Sequence, residues 1–212
     1  MSAAASQAGR TGSRPVIVAI TGASGVVYGV ELLRALRDLG EETHLILSEA
    51  AGVNLAIETK HSLEEVRALA HVVYSNKDVG AAPASGSFRT RGMIVAPCSI
   101  KTLSAIANSF TANLVVRAAD VTLKERRRLV LMVRETPLHK GHLELMARAA
   151  DHGAVILPPM PAFYHHPQTI QDIIHQTVGK MLDQLDIEHD LFRRWAGHDR
   201  EPELKAVPAS GT

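Results

Sequence analysis

A chain of 212 residues with a formal net charge of +1 and a hydrophobic fraction of 46% has the material for one complete α/β domain with a sizeable core. The near-neutral balance gives no global attraction to nucleic acid or an anionic membrane, and the one basic cluster, Lys124 to Arg128, lacks interleaved aromatics. A single cysteine, Cys98, rules out an intrachain disulfide and fits a reducing, cytoplasmic setting, and no apolar run approaches the roughly 18 residues of a membrane span.

Residues 1–14, rich in Ser, Ala and Gly and free of acids, read as a disordered tail ahead of a domain over 15–195. Ile17-Val18-Ala19-Ile20 reads as an apolar strand entering the turn Thr21-Gly22-Ala23-Ser24-Gly25. A helix follows, with Val30, Leu32, Leu33, Leu36 and Leu39 on one broad face. Strand, glycine turn and helix together direct free backbone N–H groups and a helix dipole at a phosphate. The spacing is not a strict dinucleotide fingerprint, because Ser24 and Val27 stand where later glycines belong. The looser set Gly22, Gly25, Gly29 still suits a nucleotide-binding reductase, with Glu49 as its acid after the second strand. Ser48, at that strand's tip, suits phosphate or ribityl contact equally well.

Thr43-His44-Leu45-Ile46-Leu47 is the second expected strand, and Ser62-Leu63-Glu64-Glu65 has capping-box spacing that opens a short helix. Met93-Ile94-Val95-Ala96, Leu129-Val130-Leu131-Met132-Val133 and Ala154-Val155-Ile156-Leu157 are short apolar runs of the buried parallel-strand kind. Gly153 should stop a helix from about His142 to Asp151, and Pro167 fits the first turn of a helix reaching about Leu185. The tail over 196–212 reads as loosely ordered. There is no internal repeat and no second domain. The alternation predicts a single-domain, doubly wound, Rossmann-like parallel sheet flanked by helices, with ligands at the carboxyl ends of its strands.

Two further segments fall at such strand ends. In Ala96-Pro97-Cys98-Ser99-Ile100-Lys101-Thr102, Ser99 is placed as an N-cap and its neighbours offer backbone donors at a second helix N-terminus. A solvated helix face explains most charges of Arg117-Ala118-Ala119-Asp120-Val121-Thr122-Leu123-Lys124-Glu125-Arg126-Arg127-Arg128. Arg134 and Glu135 differ, because charge where a buried strand ends costs desolvation unless it is paired or used.

The chain resembles the UbiX-like flavin prenyltransferases. The stretches that carry the resemblance are Thr21 to Gly25, Pro97 to Thr102, Arg117 to Asp120, Leu123 to Arg127, Val133 to Pro137 and Pro161-Ala162-Phe163-Tyr164-His165. They stand in the family's order from Val16 to about Trp195, so the likeness covers nearly the whole domain. Arg128 stands where the family usually has proline. Lys180 stands where some members have arginine, which keeps the charge and loses bidentate geometry.

The resemblance implies that reduced FMN is a substrate. A dimethylallyl group from the monophosphate, or from the pyrophosphate in some members, is joined to it as a fourth ring. No metal is required for the monophosphate reaction. The product, prenylated FMN, passes to a UbiD-like decarboxylase, in quinone (ubiquinone) biosynthesis or aromatic acid breakdown. Breaking the allylic C–O bond releases an anion and develops cationic carbon, so basic side chains must hold the phosphate while water is excluded. By similarity, Gly22, Ala23, Ser24, Ser48, Ser99, Ile100, Lys101, Thr102 and Arg134 would hold FMN. Arg117, Lys124, Arg134, Tyr164 and Lys180 would gather around the prenyl phosphate, some from a neighbouring subunit, with Trp195 as an aromatic lid. Ser24 would sit near flavin N5, Glu135 would move the proton during ring closure, and Glu58 would be a second acid. Related proteins form homo-oligomers up to dodecamers.

Each residue also has a plainer reading. Glu58 suits a helix cap or surface pair, Trp195 a subunit contact, and Tyr164 simple loop packing. His139 and His142 have helical spacing, but no third ligand stands at a recognisable interval, and no metal site is expected. Cys98 reads as a small buried hydrophobe. Two other functions remain open: a flavin-dependent decarboxylase of cysteine-containing substrates, and a non-catalytic FMN carrier. The first typically has an asparagine-methionine motif, and Leu157-Pro158-Pro159-Met160-Pro161-Ala162-Phe163-Tyr164 lacks the asparagine. The second does not need the set Ser24, Glu58, Arg134, Glu135, Tyr164 and Lys180.

Overall fold

The computed structural model describes residues 14–195 and 197. The two expected tails, apart from Arg14 and Gly197, lie outside the described residues. In chain order the elements are β1 (Val16–Ile20), α1 (Val26–Asp38), β2 (Thr43–Leu47), α2 (Glu49–Glu58), α3 (Leu63–Arg67) and β3 (Val72–Ser75). After a short 3-10 turn (Ala82–Ala84) come β4 (Gly92–Cys98), α4 (Ile100–Ala107), α5 (Leu114–Lys124), β5 (Arg128–Val133), α6 (Lys140–Asp151), β6 (Ala154–Ile156) and α7 (Ile170–Asp183). The strands form one sheet in the order β3-β2-β1-β4-β5-β6, and every neighbouring pair is parallel. This is the expected α/β class. Its strand order reverses direction between β1 and β4, the place where doubly wound sheets open a ligand crevice.

The apolar runs form strands because both of their faces are covered. Val16, Val18 and Ile20 pack with the buried faces of α1 and α7, together with Ala51 and Leu55 of α2. Ile17 and Ala19 point the other way, into a second cluster built with Leu103 and Ile106 of α4, Leu114 to Ala119 of α5 and Ala149 of α6. A strand alternates its side chains between faces, so five successive buried residues require a layer on each side. The result is a three-layer sandwich in which α5 and α7 lie on opposite faces of the sheet.

Gly25 precedes α1 in the left-handed region at φ 94°, where a side chain would be strained. At Gly29 a Cβ would lie 2.3 Å from the Ala96 carbonyl oxygen, so only glycine lets α1 approach the tip of β4 this closely.

The structure bears out the strands at 17–20, 43–47, 93–96, 129–133 and 154–156, and the Ser62–Glu65 capping box. One expectation differs and one strand was not anticipated. Pro167 does not open the last helix: Thr169 does, its hydroxyl accepting from the Asp172 N–H while the Asp172 carboxylate takes the Thr169 N–H. That reciprocal cap satisfies two orphan donors and fixes the start two residues beyond the proline. Strand β3, Val72-Val73-Tyr74-Ser75, was not among the expected strands although its residues are β-branched and aromatic. It is an edge strand whose residues alternate between half-buried and exposed.

Candidate functional site

A cleft of about 1170 Å³ opens over the carboxyl ends of β1 to β4. It is lined by Thr21 and Gly22 after β1, Ser48 and Glu49 after β2, Ser75 to Lys77 after β3, Ser99, Lys101 and Thr102 after β4, and Asn113 ahead of α5. Of the residues expected to hold FMN, Gly22, Ser48, Ser99, Lys101 and Thr102 line this cleft; Ala23, Ser24 and Ile100 adjoin them in the chain, and Arg134, after β5, is not among its lining residues. The size lies somewhat above the roughly 300–1,000 Å³ common for small-molecule sites.

Its chemistry comes from helix starts. Ser48 caps α2 by accepting from the Ala51 N–H at 3.1 Å, and Ser99 caps α4 by accepting from the Thr102 N–H at 3.3 Å and donating to the Thr102 hydroxyl. Two helix N-termini therefore face one cleft with hydroxyls and an exposed Lys101 ammonium. This donor set fits a phosphate and a polyhydroxylated chain, as a flavin mononucleotide requires. Lys77 and Glu49 form an exposed pair at the cleft's rim at 2.6 Å, and Lys77's hydrogen bond holds the Glu49 carboxyl below its ordinary range.

The first glycine turn behaves differently from its sequence reading. The N–H groups of Gly25 and Val26 are not left for a phosphate: the Glu58 carboxylate accepts both, at 2.8 and 3.1 Å. Gly25 supplies no side-chain cap of its own, so Glu58, at the end of α2, closes the start of α1 from across the chain. The donors for a phosphate are concentrated instead at α2 and α4.

The residues expected around the prenyl phosphate fall into separate places within one chain. On α5, Arg117 bonds Asp120 at 3.0 Å and donates to the Ala84 carbonyl at 3.2 Å, while Lys124 pairs with Glu125 at 2.5 Å. That Lys124 contact draws the Glu125 carboxyl below its usual value. At the end of β5, Arg134 donates its N–H to the Cys98 carbonyl, and the exposed Glu135 accepts from the Thr136 N–H. Across the sheet, Lys180 of α7 meets Asp183 at 3.4 Å, and Arg194 shares that carboxylate at 2.7 Å. Burial pushes the Asp183 carboxyl up, but Arg194 and Lys180 together outweigh it and leave the group below its ordinary value. Tyr164 and Trp195 meet edge to face with ring centres 6.2 Å apart, and both are largely exposed.

Sequence reasoning missed three features. Arg127 is not part of a solvated face; its guanidinium donates to the carbonyls of Gly86 and Phe88 at 2.6 and 2.7 Å. The signal was there in Ala81-Ala82-Pro83-Ala84-Ser85-Gly86-Ser87, a loop of small residues whose carbonyls need donors from elsewhere. Asp183, which gathers Lys180, Arg194 and His189, was the second, and the Thr21 hydroxyl was the third. His139 and His142 stack at 3.6 Å, and among the described residues no group of three or more His, Cys, Asp or Glu is placed to hold a metal ion. No helix among them is long and apolar enough to cross a membrane.

Comparison with known proteins completes this picture. A family model described as Flavoprotein matches residues 4–189. The flavin prenyltransferase UbiX of Thauera aromatica is 56% identical over 191 residues, covering 90% of this chain and 98% of that protein. Among solved structures, AnUbiX (PadA1) in complex with FMN and dimethylallyl pyrophosphate superposes with a TM-score of 0.86 at 50% identity, covering 88% of this chain and 100% of that one. A dodecameric FMN-dependent UbiX-like decarboxylase from Escherichia coli O157:H7 gives 0.84 at 49% identity, with 86% and 100% covered. The fold and the cleft define a flavoprotein. Within that class, this chain belongs to the UbiX flavin prenyltransferase family.

Proposed function

We propose that this chain joins the dimethylallyl group of a dimethylallyl phosphate to reduced FMN and releases prenylated FMN for a UbiD-like decarboxylase. The observation that carries the reading is the cleft at the β1–β4 switch, where two capped helix starts and Lys101 converge, in a chain of this family.

Reduced FMN supplies the nucleophilic ring atoms; the remaining chemistry belongs to the chain. Gly22, Ala23, Ser24, Ser48, Ser99, Ile100, Lys101, Thr102 and Arg134 hold the flavin. Arg117, Lys124, Arg134, Tyr164 and Lys180 neutralise the phosphate that leaves with the electron pair of the broken C–O bond. Glu135 moves the proton at its carboxylate, and Ser24 sits near flavin N5. The Tyr164–Trp195 edge contact supports Trp195 as a cover that keeps water from the developing cation. Glu58 serves this site by holding the turn that presents Ser24.

The separation of α5 from α7 by the sheet supports a site completed between copies of the chain. Lys124 of one copy then works with Tyr164 and Lys180 of another, in a homo-oligomer like its dodecameric neighbour. The lone buried cysteine is consistent with a cytoplasmic protein, and the domain is assigned to residues 15–195.

Anaerobic incubation with reduced FMN and dimethylallyl monophosphate, with divalent metals chelated, followed by mass spectrometry of the released flavin, tests the proposal. A flavin heavier by one five-carbon unit is expected. Unmodified FMN bound to folded protein overturns it, and a parallel measurement of carbon dioxide release separates prenyl transfer from decarboxylation.

A further inference from the structure

The regular ladder register ends where the cleft begins. β1 and β4 stay in register from Val16 against Gly92 to Ala19 against Val95, and two residues later Pro97 contributes no N–H. The register between β4 and β5 shifts over the same residues. Backbone bonds knit the other strand tips: Ser48 N–H donates to the Ile20 carbonyl at 3.1 Å and Arg134 N–H to the Cys98 carbonyl at 3.2 Å. Between β1 and β4 a side chain reinforces the backbone. The Thr21 hydroxyl donates to the Pro97 carbonyl at 2.7 Å and accepts the Ser99 N–H at 2.9 Å, while the Thr21 N–H also reaches Pro97 at 3.2 Å. Thr21 is 2% exposed, so water does not compete for these bonds.

Building on the proposed function, we infer that Thr21 is a positioning residue for flavin. Its hydroxyl fixes the spacing between the Gly22-Ala23-Ser24 turn and the Ser99-Ile100-Lys101-Thr102 helix start. Anchoring the Ser99 N–H sets the backbone of that N-cap, and with it the direction of the cap hydroxyl and of the first α4 donors toward the cleft. A general packing role would lower stability alone. A positioning role weakens flavin selectively, because the prenyl phosphate depends on other elements.

The test is Thr21→Val, which keeps the shape and removes both bonds, beside Thr21→Ser, which keeps the hydroxyl, each assayed as the full chain with wild type. The expected result for Thr21→Val is a KM for reduced FMN raised roughly tenfold or more, with the KM for dimethylallyl phosphate within about twofold and kcat little changed. Thr21→Ser should restore the FMN value. Should the valine variant fail to fold, Thr21→Ala, which also lacks the hydroxyl, carries the same expectation. An unchanged FMN KM in a folded hydroxyl-less variant, or a Thr21→Ser variant as impaired as valine, overturns the inference. Wild type that neither binds nor prenylates FMN overturns the function itself, and the two failures are thereby told apart.

Discussion

The flavin cleft and the prenyl-phosphate residues are built to different standards. At the cleft, every tip from β2 to β5 is tied to its neighbour by a hydrogen bond, and the caps at Ser48 and Ser99 are in place within one chain. The phosphate residues are scattered: Lys124 and Arg117 on one face of the sheet, Lys180 on the other, and Glu135, Tyr164 and Trp195 on exposed loops. Their charges are held by local partners, Lys124 by Glu125 and Lys180 by Asp183. A pre-formed pocket binds without reorganisation, whereas dispersed groups act together once something else brings them into one place. Under the proposed function, the contrast means that one chain would carry the flavin cleft and would share the prenyl-phosphate site with a second copy.

The largest effect should come from the group that serves chemistry rather than binding. Glu135→Gln preserves shape and removes the proton acceptor, so turnover should fall by about 10²- to 10⁴-fold while FMN binding stays near wild type. Single-turnover mass spectrometry beside a flavin-fluorescence titration reads both. Unchanged turnover would remove Glu135 from the mechanism, and lost FMN binding would merge the two regions.

Lys124→Ala should raise the KM for dimethylallyl phosphate roughly tenfold or more, the scale of a lost charge-assisted contact, with FMN binding within about twofold. Mixing it with Lys180→Ala sharpens the comparison. If α5 and α7 serve one site from different copies, co-assembled hybrids contain some sites with both lysines and regain activity neither parent variant has. Failure of well-mixed hybrids to exceed the parents would put both lysines in the same chain's site.

A smaller effect is expected at Glu58. Glu58→Ala strips the acceptor from the Gly25 and Val26 N–H groups, and stability should drop by about 1 kcal/mol, as for other helix caps. Denaturant midpoints measure this. Turnover should fall less than in Glu135→Gln; an equal or greater loss would give Glu58 a direct part in the proton chemistry.

How much of this the sequence showed depends on where the information resides. Buried parallel strands are legible because both faces are apolar, and β1, β4 and β5 could be read off directly. β3 was passed over although Val72-Val73-Tyr74 favours a strand, because four residues at a sheet edge are too few to set a period apart from their polar surroundings. Pro167 misled because a local preference for a helix's first turn yielded to the capping pair Thr169 and Asp172 two residues on. The cleft residues were legible as strand-tip hydroxyls and a lysine. Thr21 was not, and Arg127 was signalled only by the small-residue loop, because their partners, Gly86, Phe88, Pro97 and Ser99, are tertiary neighbours. Glu58 shows both sides of this: its sequence position allowed either a cap or an acid, and only its 33-residue reach to Gly25 reveals the cap.

The smallest effect tests how tightly the cleft side is sealed. Cys98 ends β4, fully buried beneath the flavin-binding segment, and burial pushes its thiol up to about 12 from an ordinary 9.0. Because the thiolate is the reactive form, the folded protein should resist iodoacetamide at pH 8.5 while the denatured chain is alkylated promptly, with intact-mass spectra as the readout. The sign of the linked stability follows. The unfolded thiol ionises from about pH 9 and the folded one does not until about 12, so the unfolded state gains and stability declines as pH rises across that interval. Below pH 9 both states keep the proton and Cys98 contributes no pH dependence. Rapid alkylation of the native protein would mean that the tip of β4 opens readily, and the flavin cleft would then be no more settled than the dispersed phosphate residues.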